Sequence, residues 1–378
     1  MVKEIKIQNY KSVQDLTLEL GRINVLIGAN GCGKSNILEA IALGASASVE
    51  ELENKFLALR GIRVTDPIWM RSGFLKEFQT ESIDIEVLVD ENKYKFHLKN
   101  ENKPFSEWEV VKDSDIKRDD YKIEIQQKGE RITVPEYDYE LFKKMLMELD
   151  FNSILKYSNF PDFLIYAPEN TFLRRFEDEL QDKSLGIKGE GLFKLLSVMN
   201  QNSPEEFQEI IENLELIDWF EGFEIPKDLV FTERRIRIKD RFLEEGLQYF
   251  DQRSSNEGFL FFMFYFALFI SKYTPKFFAI DNIDASLNPK LCAELMKILT
   301  KLAKKHDKQV IFTTHNPSIL DGLNLNDDEV RLLVVQRNID GHTITKRILP
   351  AIVPEGELPV RLSEQFTRGY IGGLPNNF

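Results

Sequence analysis

Gly28-Ala29-Asn30-Gly31-Cys32-Gly33-Lys34-Ser35 fits the pattern GxxxxGK[ST] at every fixed position. Its flanks supply the context that such a loop needs. Ile23-Asn24-Val25-Leu26-Ile27 is a short apolar run suited to a buried strand, and Asn36-Ile37-Leu38-Glu39-Ala40-Ile41-Ala42-Leu43 begins a helix. Strand, glycine loop and helix make a phosphate cradle. Glycines let backbone N–H groups turn inward without a Cβ clash, the helix N-terminus adds its positive dipole end, Lys34 reaches the outer phosphates and Ser35 can hold magnesium. The residues expected to contact ATP are therefore Gly28, Asn30, Gly31, Gly33, Lys34, Ser35 and Asn36.

The chain has 378 residues, 43% of them hydrophobic, which predicts a core with an added lobe rather than one simple sheet. Phe is frequent, and Phe259, Phe261, Phe262, Phe264, Phe266 and Phe269 cluster in one run. That run spans about a dozen residues, short of the roughly 20 that cross a bilayer, so a wholly buried core helix is expected and no membrane partner. A net charge of −13 argues against coating nucleic acid by bulk electrostatics, while leaving a local basic groove or a basic partner open. Met1 to Ile7 alternates like a strand and lacks an apolar signal core, which predicts a cytoplasmic protein. Two cysteines, Cys32 and Cys292, make no disulfide framework, and reduced thiols are expected.

Alternation predicts strands at Ile5–Ser12 and Leu16–Leu20, then a helix-like stretch near Val49 to Arg60. Two hairpins follow, Ile83–Val89 with Tyr94–Leu98 and Tyr121–Ile125 with Arg131–Val134. Helical spacing returns at Tyr139 to Leu149, Gly189 to Asn200 and Phe207 to Leu216, the last preceded by Ser203 as N-cap and Pro204 at the first helical position. Phe163–Tyr166 reads as a strand ending in a loop, and Val230–Thr232 and Arg235–Lys239 as strands. The basic cluster Arg234, Arg235, Arg237, Lys239 and Arg241 is either a solvated strand face or a nucleic-acid or partner patch.

Beyond residue 254 the order of elements becomes informative. Phe277-Phe278-Ala279-Ile280-Asp281 is a buried strand ending in a carboxylate, a Walker B pattern that places Asp281 to hold magnesium or its water. Pro289 to Lys305 is a helix, and Val310–Thr314 a further buried strand that ends at His315. Alternating helices and apolar strands predict a parallel sheet. The tail adds strands at Val330–Val335 and His342–Ile348. Of the four histidines, His315 alone has the address of a γ-phosphate sensor.

Taken together, the Asn-Tyr-Lys-Ser strand, the P-loop ending Ser35-Asn36, the loop Ser254-Ser255-Asn256-Glu257-Gly258, Asp-Ala-Ser-Leu-Asn and Thr-His-Asn-Pro resemble an ABC-type ATPase of the SMC/RecF/OLD-like branch. Within it, the chain is similar to stand-alone ATPases of prokaryotic antiphage defence systems. The similarity covers about residues 1 to 45 and 250 to 378. It implies an α/β fold: an ABC-type P-loop NTPase core of mixed, largely parallel sheet, plus an inserted antiparallel hairpin and helical lobe. The expected division is 1–45 with the P-loop, 46–250 as the inserted lobe partly contributing to the core, and 251–378 with the signature loop, Walker B and switch histidine.

The resemblance further implies a head-to-tail homodimer in which Ser255 and Gly258 of one subunit close over the ATP and Mg2+ of the other. Ala285-Ser286-Leu287-Asn288 would be the D-loop. Catalytic positions would be Asp281, Asn282 and His315, with Ser35 and Asp281 on the metal. Three departures stand out. Asn282 occupies the place where hydrolysing members have a Glu, and an amide is a far poorer proton acceptor, so slow or impaired turnover is expected. The signature loop lacks the Ser-x-Gly spacing, and Pro168-Glu169-Asn170 stands where a Q-loop glutamine would be. The expected function is a nucleotide-gated regulatory ATPase that controls a separately encoded effector such as a nuclease or toxin. The alternatives are a RecF/SMC-like DNA-repair ATPase that binds DNA itself, and an ATP-binding scaffold with negligible hydrolysis.

Overall fold

Five consecutive buried residues, Ile23–Ile27 (β3), sit inside a six-stranded sheet because helices or a second sheet cover both of its faces. The computed structural model describes residues 1–75, 79–103, 106–111, 124–127, 130–133, 158–176, 185–226, 234–244, 246–247, 249–285, 287–351 and 360–374. Across the central sheet the order is β16 (Thr343–Ile348), β15 (Val330–Arg337), β3, β14 (Gln309–Thr314), β13 (Phe277–Ile280) and β9 (Ile165–Tyr166). All neighbours are parallel except β15 with β16. The strand period of two sorts the side chains into two cores. Val25, Ile27, Phe278, Ile280 and Phe312 face one, and Leu26, Phe277, Ala279 and Ile311 face the other.

The second face carries α1 (Lys34–Ala47) and an antiparallel sheet ordered β2 (Val13–Glu19), β1 (Val2–Tyr10), β4 (Ile83–Val89), β5 (Asn92–Lys99), β6 (Glu109–Val110). The first face carries α5 (Leu192–Asn202), α6 (Pro204–Leu214), α7 (Glu257–Ile270) and α8 (Pro289–Lys305). Short helices α2 (Asn54–Leu59), α3 (Pro67–Met70), α4 (Asn170–Arg175) and α9 (Leu362–Thr367) connect these layers. The segment 46–250 is thus shared out. Its β4–β6 extend the sheet of β1, its β9 closes the edge of the central sheet, and α5, α6 and the small sheet β10 (Phe220–Glu224), β11 (Arg237–Asp240), β12 (Tyr249–Phe250) pack around α7. The hairpin β7 (Glu124–Gln127), β8 (Glu130–Thr133) pairs as expected. The expected helix at 139–149 and strand at 230–232 lie outside the described residues.

Helix α7 is the Phe-rich run, and every residue from Phe259 to Ile270 is buried. At 14 residues it is about 21 Å long, too short for a hydrocarbon core of roughly 30 Å. No helix among the described residues is long and apolar enough to cross a membrane. Its start is capped by Asn256, whose Oδ1 accepts from the Phe259 N–H at 2.8 Å. Beyond its end stands Lys308, 2% exposed, whose ammonium donates to the carbonyls of Ser271 (2.8 Å), Thr274 (3.1 Å) and Pro275 (3.2 Å) and to Thr274 Oγ1 (2.9 Å). A cation there complements the negative end of the helix dipole.

One local expectation changes. Ser203 does precede α6 and Pro204 opens it, but the hydroxyl makes no capping bond and is buried without a partner. The Ser203 backbone, at φ −150° and ψ 60°, departs from the extended geometry that aims a cap hydroxyl into the first turn. The basic cluster is tied into its own sheet: Arg237 pairs with Glu224, Lys239 with Glu221, and Arg241 donates to the Phe220 carbonyl. Both cysteines are free and buried, and burial pushes the Cys292 thiol up to about 11.

Candidate nucleotide site

The P-loop runs from the end of β3 to the start of α1, with Gly31 at φ +74° and Gly33 at φ +111°. These are left-handed values that glycine adopts without strain. Space demands glycine as well: a Cβ on Gly33 would lie 2.0 Å from Thr343 Oγ1, and one on Gly28 would lie 2.1 Å from the Val335 carbonyl oxygen. Strand β15 and the hairpin β15–β16 thus press the loop from behind. Thr343 Oγ1 donates to the Cys32 carbonyl at 2.9 Å, and Arg337 Nε to the Gly31 carbonyl at 2.9 Å.

Lys34 folds back over the loop. Its ammonium donates to Gly28 O (2.8 Å) and Ala29 O (3.0 Å) and lies 3.3 Å from His315 Nδ1, which is itself 3.2 Å from Gly28 O. Burial pulls the Lys34 ammonium below its ordinary value. Burial first, and the Lys34 charge second, hold His315 below the ordinary histidine range, so the ring is neutral at pH 7. The other histidines serve elsewhere: His97 pairs with Asp84 at 2.9 Å, His306 with Glu209 at 3.1 Å, and His342 packs on Phe74.

Ser35 Oγ donates to the two Asp281 oxygens at 3.1 and 3.4 Å, so the loop serine and the strand-end carboxylate meet although they are 246 residues apart. A hydroxyl and a carboxylate are hard oxygen donors, which fits Mg2+; the glycine loop, helix N-terminus and Lys34 fit a triphosphate. Two buried threonines at the end of β14 organise the acidic side. Thr313 donates to Asp281 and Thr314 to Asp284, the latter at 2.6 Å. Asn282, exposed, sits between them at φ +57°, a left-handed conformation that Asn tolerates better than most residues. Its N–H donates to Thr313 Oγ1 at 2.9 Å.

A cavity of about 300 Å³ opens beside the Ser35–Asp281 pair, with Glu39, Arg63, Glu169 and Lys188 also on its walls. Glu39 is 2% exposed and is held by Tyr10 (3.2 Å), Lys11 and Arg63. Arg63 also donates to Asn36 Oδ1 at 3.2 Å, and Asn36 Nδ2 to Ser12 Oγ at 2.7 Å, so Asn36 bridges sideways from α1. Glu169, from the Pro168-Glu169-Asn170 loop, is paired with Lys188 at 2.9 Å. Asn30 and Gly31 are exposed at the loop tip.

Ser255 and Gly258 stand apart from this cluster, at the head of α7. Ser255 is 2% exposed and its hydroxyl has no hydrogen-bond partner. Asn256, not Ser255, caps the helix, and Gly258 lies in its first turn. Of the residues expected to form a D-loop, Asn288 caps α8 by accepting from the Leu291 N–H at 3.0 Å, and Ser286 lies outside the described residues. Sequence reasoning passed over Thr313, Thr314, Glu39 and Arg63. The only signal for the threonines was their place immediately before His315, and nothing local marked Glu39 and Arg63.

Among solved structures, the fold is similar to an SMC head bound to the C-terminal winged-helix domain of ScpA, with TM-score 0.54, 14% identity and coverage of 92% of this chain and 97% of that one. A second is an Smc head with an extended coiled coil bound to the C-terminal domain of ScpA derived from Pyrococcus furiosus, with TM-score 0.53, 12% identity and coverage of 92% and 96%. At such identities the likeness establishes the fold. Curated relatives include an uncharacterized protein, MJECL10, of Methanocaldococcus jannaschii, 34% identical over 110 residues, or 28% of this chain and 50% of that protein. The DNA double-strand break repair Rad50 ATPase of Sulfolobus acidocaldarius is 47% identical over 45 residues, 12% of this chain and 5% of its own length. The chain therefore spans half or less of the curated relatives it matches. A family model described as "AAA domain, putative AbiEii toxin, Type IV TA system" matches residues 23–321, from the P-loop strand to beyond His315. The match covers well over half of the sequence, and the chain belongs to that family of P-loop ATPases, with the fold of an SMC head.

Proposed function

We propose that this chain is a nucleotide-gated regulatory ATPase of an antiphage defence system, in which Mg·ATP closes two copies head to tail and the closed state controls a separately encoded effector, a nuclease or toxin. The observation that carries this reading is Ser255. A buried hydroxyl without a partner costs free energy, and an anion delivered by a second subunit to the head of α7 would satisfy it. Ser35 and Asp281 hold the metal, which would neutralise phosphate charge when bound; Lys34 and the glycine N–H groups take the phosphates, and His315 reports on the outermost one. The family's description names a toxin–antitoxin system, a two-component setting of the kind this reading calls for.

Asn282 shapes what the gate does. An amide cannot take a proton from water, so the closed state is long-lived, which suits a switch better than a motor. The same residue favours the second reading, an ATP-binding scaffold with negligible hydrolysis. Light scattering of the full chain with and without Mg·ATP tests the gate. A dimer with ATP that Lys34→Ala and Ser255→Arg abolish is expected, and a wild-type chain that stays monomeric at saturating ATP overturns it. Measured phosphate release then separates switch from scaffold. Protection against phage by the chain with its neighbouring genes, lost in Lys34→Ala, tests the defence role.

A further inference from the structure

The segment after α9 returns to the first glycine of the P-loop. Gly373 is buried at φ +86°, and a Cβ on it would lie 2.7 Å from Val334 Cγ1, 3.0 Å from Phe366 Cε2 and 3.7 Å from the Gly28 Cα. Val334 pairs with Ile27 across β15 and β3, so Gly373 covers the step where the strand becomes the loop. The left-handed backbone and the stiff, branched valine both require glycine there. Phe366 and Ile371, 6% and 7% exposed, anchor the segment in the core around α7. At its other end α9 is fastened to the His315 side. Asp321, in the 3-10 turn Pro317–Gly322, accepts from the Ser363 N–H at 3.0 Å and from the Ser363 hydroxyl at 2.7 Å. That turn is capped by Asn316, the residue after His315, whose Oδ1 accepts from the Ser318 N–H at 2.9 Å. His315 Nδ1 in turn lies 3.2 Å from Gly28 O. The path closes on itself, from Gly28 through His315, Asp321, Ser363 and Gly373 back to Gly28.

We propose that α9 and residues 368–374 form a strut that holds His315 and Gly28 in register, with Asp321 and Gly373 as its positioning residues. This rests on the reading of residues 28–35 as a triphosphate cradle and of His315 as the reporter on the outermost phosphate. One 3.2 Å contact lets the imidazole swing about its own backbone. A second route between the same two points, made of a doubly bonded carboxylate and a packed core contact, removes that freedom. The strut touches no phosphate; it sets where His315 stands when a phosphate arrives.

Hydrogen exchange and single-turnover phosphate release, both on the full chain, test it. Asp321→Ala should raise exchange at residues 28–33 and 315–316 by about tenfold, as expected when bonds to a charged group are lost. It should slow phosphate release by about tenfold while Mg·ATP affinity stays within about threefold. Asp321→Asn, whose amide accepts from the Ser363 N–H and donates to its hydroxyl, should restore both. Gly373→Ala should reproduce the loss from the opposite end. In a His315→Ala background, Asp321→Ala should slow release no further, because both act through one group. Gln365→Ala removes a bond to the Val360 carbonyl (2.8 Å) that lies off the path, and should change neither reading. The strut is overturned if Asp321→Ala and Gly373→Ala leave exchange at 28–33 unchanged, or if Gln365→Ala matches them. A wild-type chain that binds no Mg·ATP overturns the cradle and the strut's role in it. Where ATP binds but no phosphate is released, the exchange result alone decides.

Discussion

Lys34 Nζ lies 3.3 Å from Nδ1 of His315, and both atoms address the carbonyl oxygen of Gly28. Incoming phosphates would therefore draw the lysine off the loop carbonyls and release the histidine in the same movement. Lys34→Ala should weaken Mg·ATP by about 100-fold or more, as expected when two charge-assisted hydrogen bonds are lost. His315→Ala should change affinity by only about threefold while slowing single-turnover phosphate release by about 100-fold. Titration and quenched-flow assays on the same variants check both.

Replacing Asn282 tests the slow gate. Asn282→Glu restores a carboxylate beside Asp281, and phosphate release should rise by about 10- to 100-fold. The gain comes with a conformational cost, because Glu at φ +57° loses about 1 kcal/mol relative to a residue suited to left-handed backbone. Urea denaturation should show that loss even where turnover improves.

Lys308 predicts a pH dependence of stability. Burial, helped by the nearby Lys276 charge, lowers its ammonium from 10.5 to about 7, against the pull of Glu206 and Asp307. Between those two values the unfolded chain binds more protons than the folded one, so stability rises as pH rises from about 7 toward 10.5. The urea midpoint should be higher at pH 9 than at pH 7. Lys308→Met should remove that increment and, by leaving the carbonyls at the end of α7 unpaired, cost about 1–3 kcal/mol at pH 7.

Helix α7 should be the least tolerant element to truncation of side chains. Phe264 is fully buried, and its ring stands 5.9 Å from that of Tyr166 on the edge strand β9. Phe264→Ala should cost about 3–5 kcal/mol, a large share of the roughly 5–15 kcal/mol that holds an ordinary domain folded. Circular dichroism during thermal unfolding checks this.

What could be read in the residues and what could not divides along the range of the interactions. Short apolar runs such as Phe277–Ile280 and Gln309–Thr314 announce buried strands because both faces of the sheet are covered, and α7 and α8 follow from their length and spacing. The P-loop, Asp281 and His315 were legible because each sits at a strand end in a known order. The Glu39 network was not: Tyr10, Lys11 and Arg63 lie 29, 28 and 24 residues from it, and no local pattern encodes such meetings. Nor could the residues say which side chain would cap α7, since Ser255 and Asn256 are both good caps and only the path of the backbone chooses Asn256. The cage around Lys308 was hidden for the same reason, as its acceptors are carbonyls that any residue would offer.

The β15–β16 hairpin gives the P-loop a calendar as well as a shape. The Gly31 and Cys32 carbonyls are held by residues 306 and 311 positions later, and Ser12 by one 331 positions later. During synthesis the glycine loop emerges long before the residues that press it into form, and contacts of such sequence separation close late. A nascent chain therefore carries the motif without the finished cradle, and nucleotide capture becomes a property of the completed fold rather than of the glycine loop by itself.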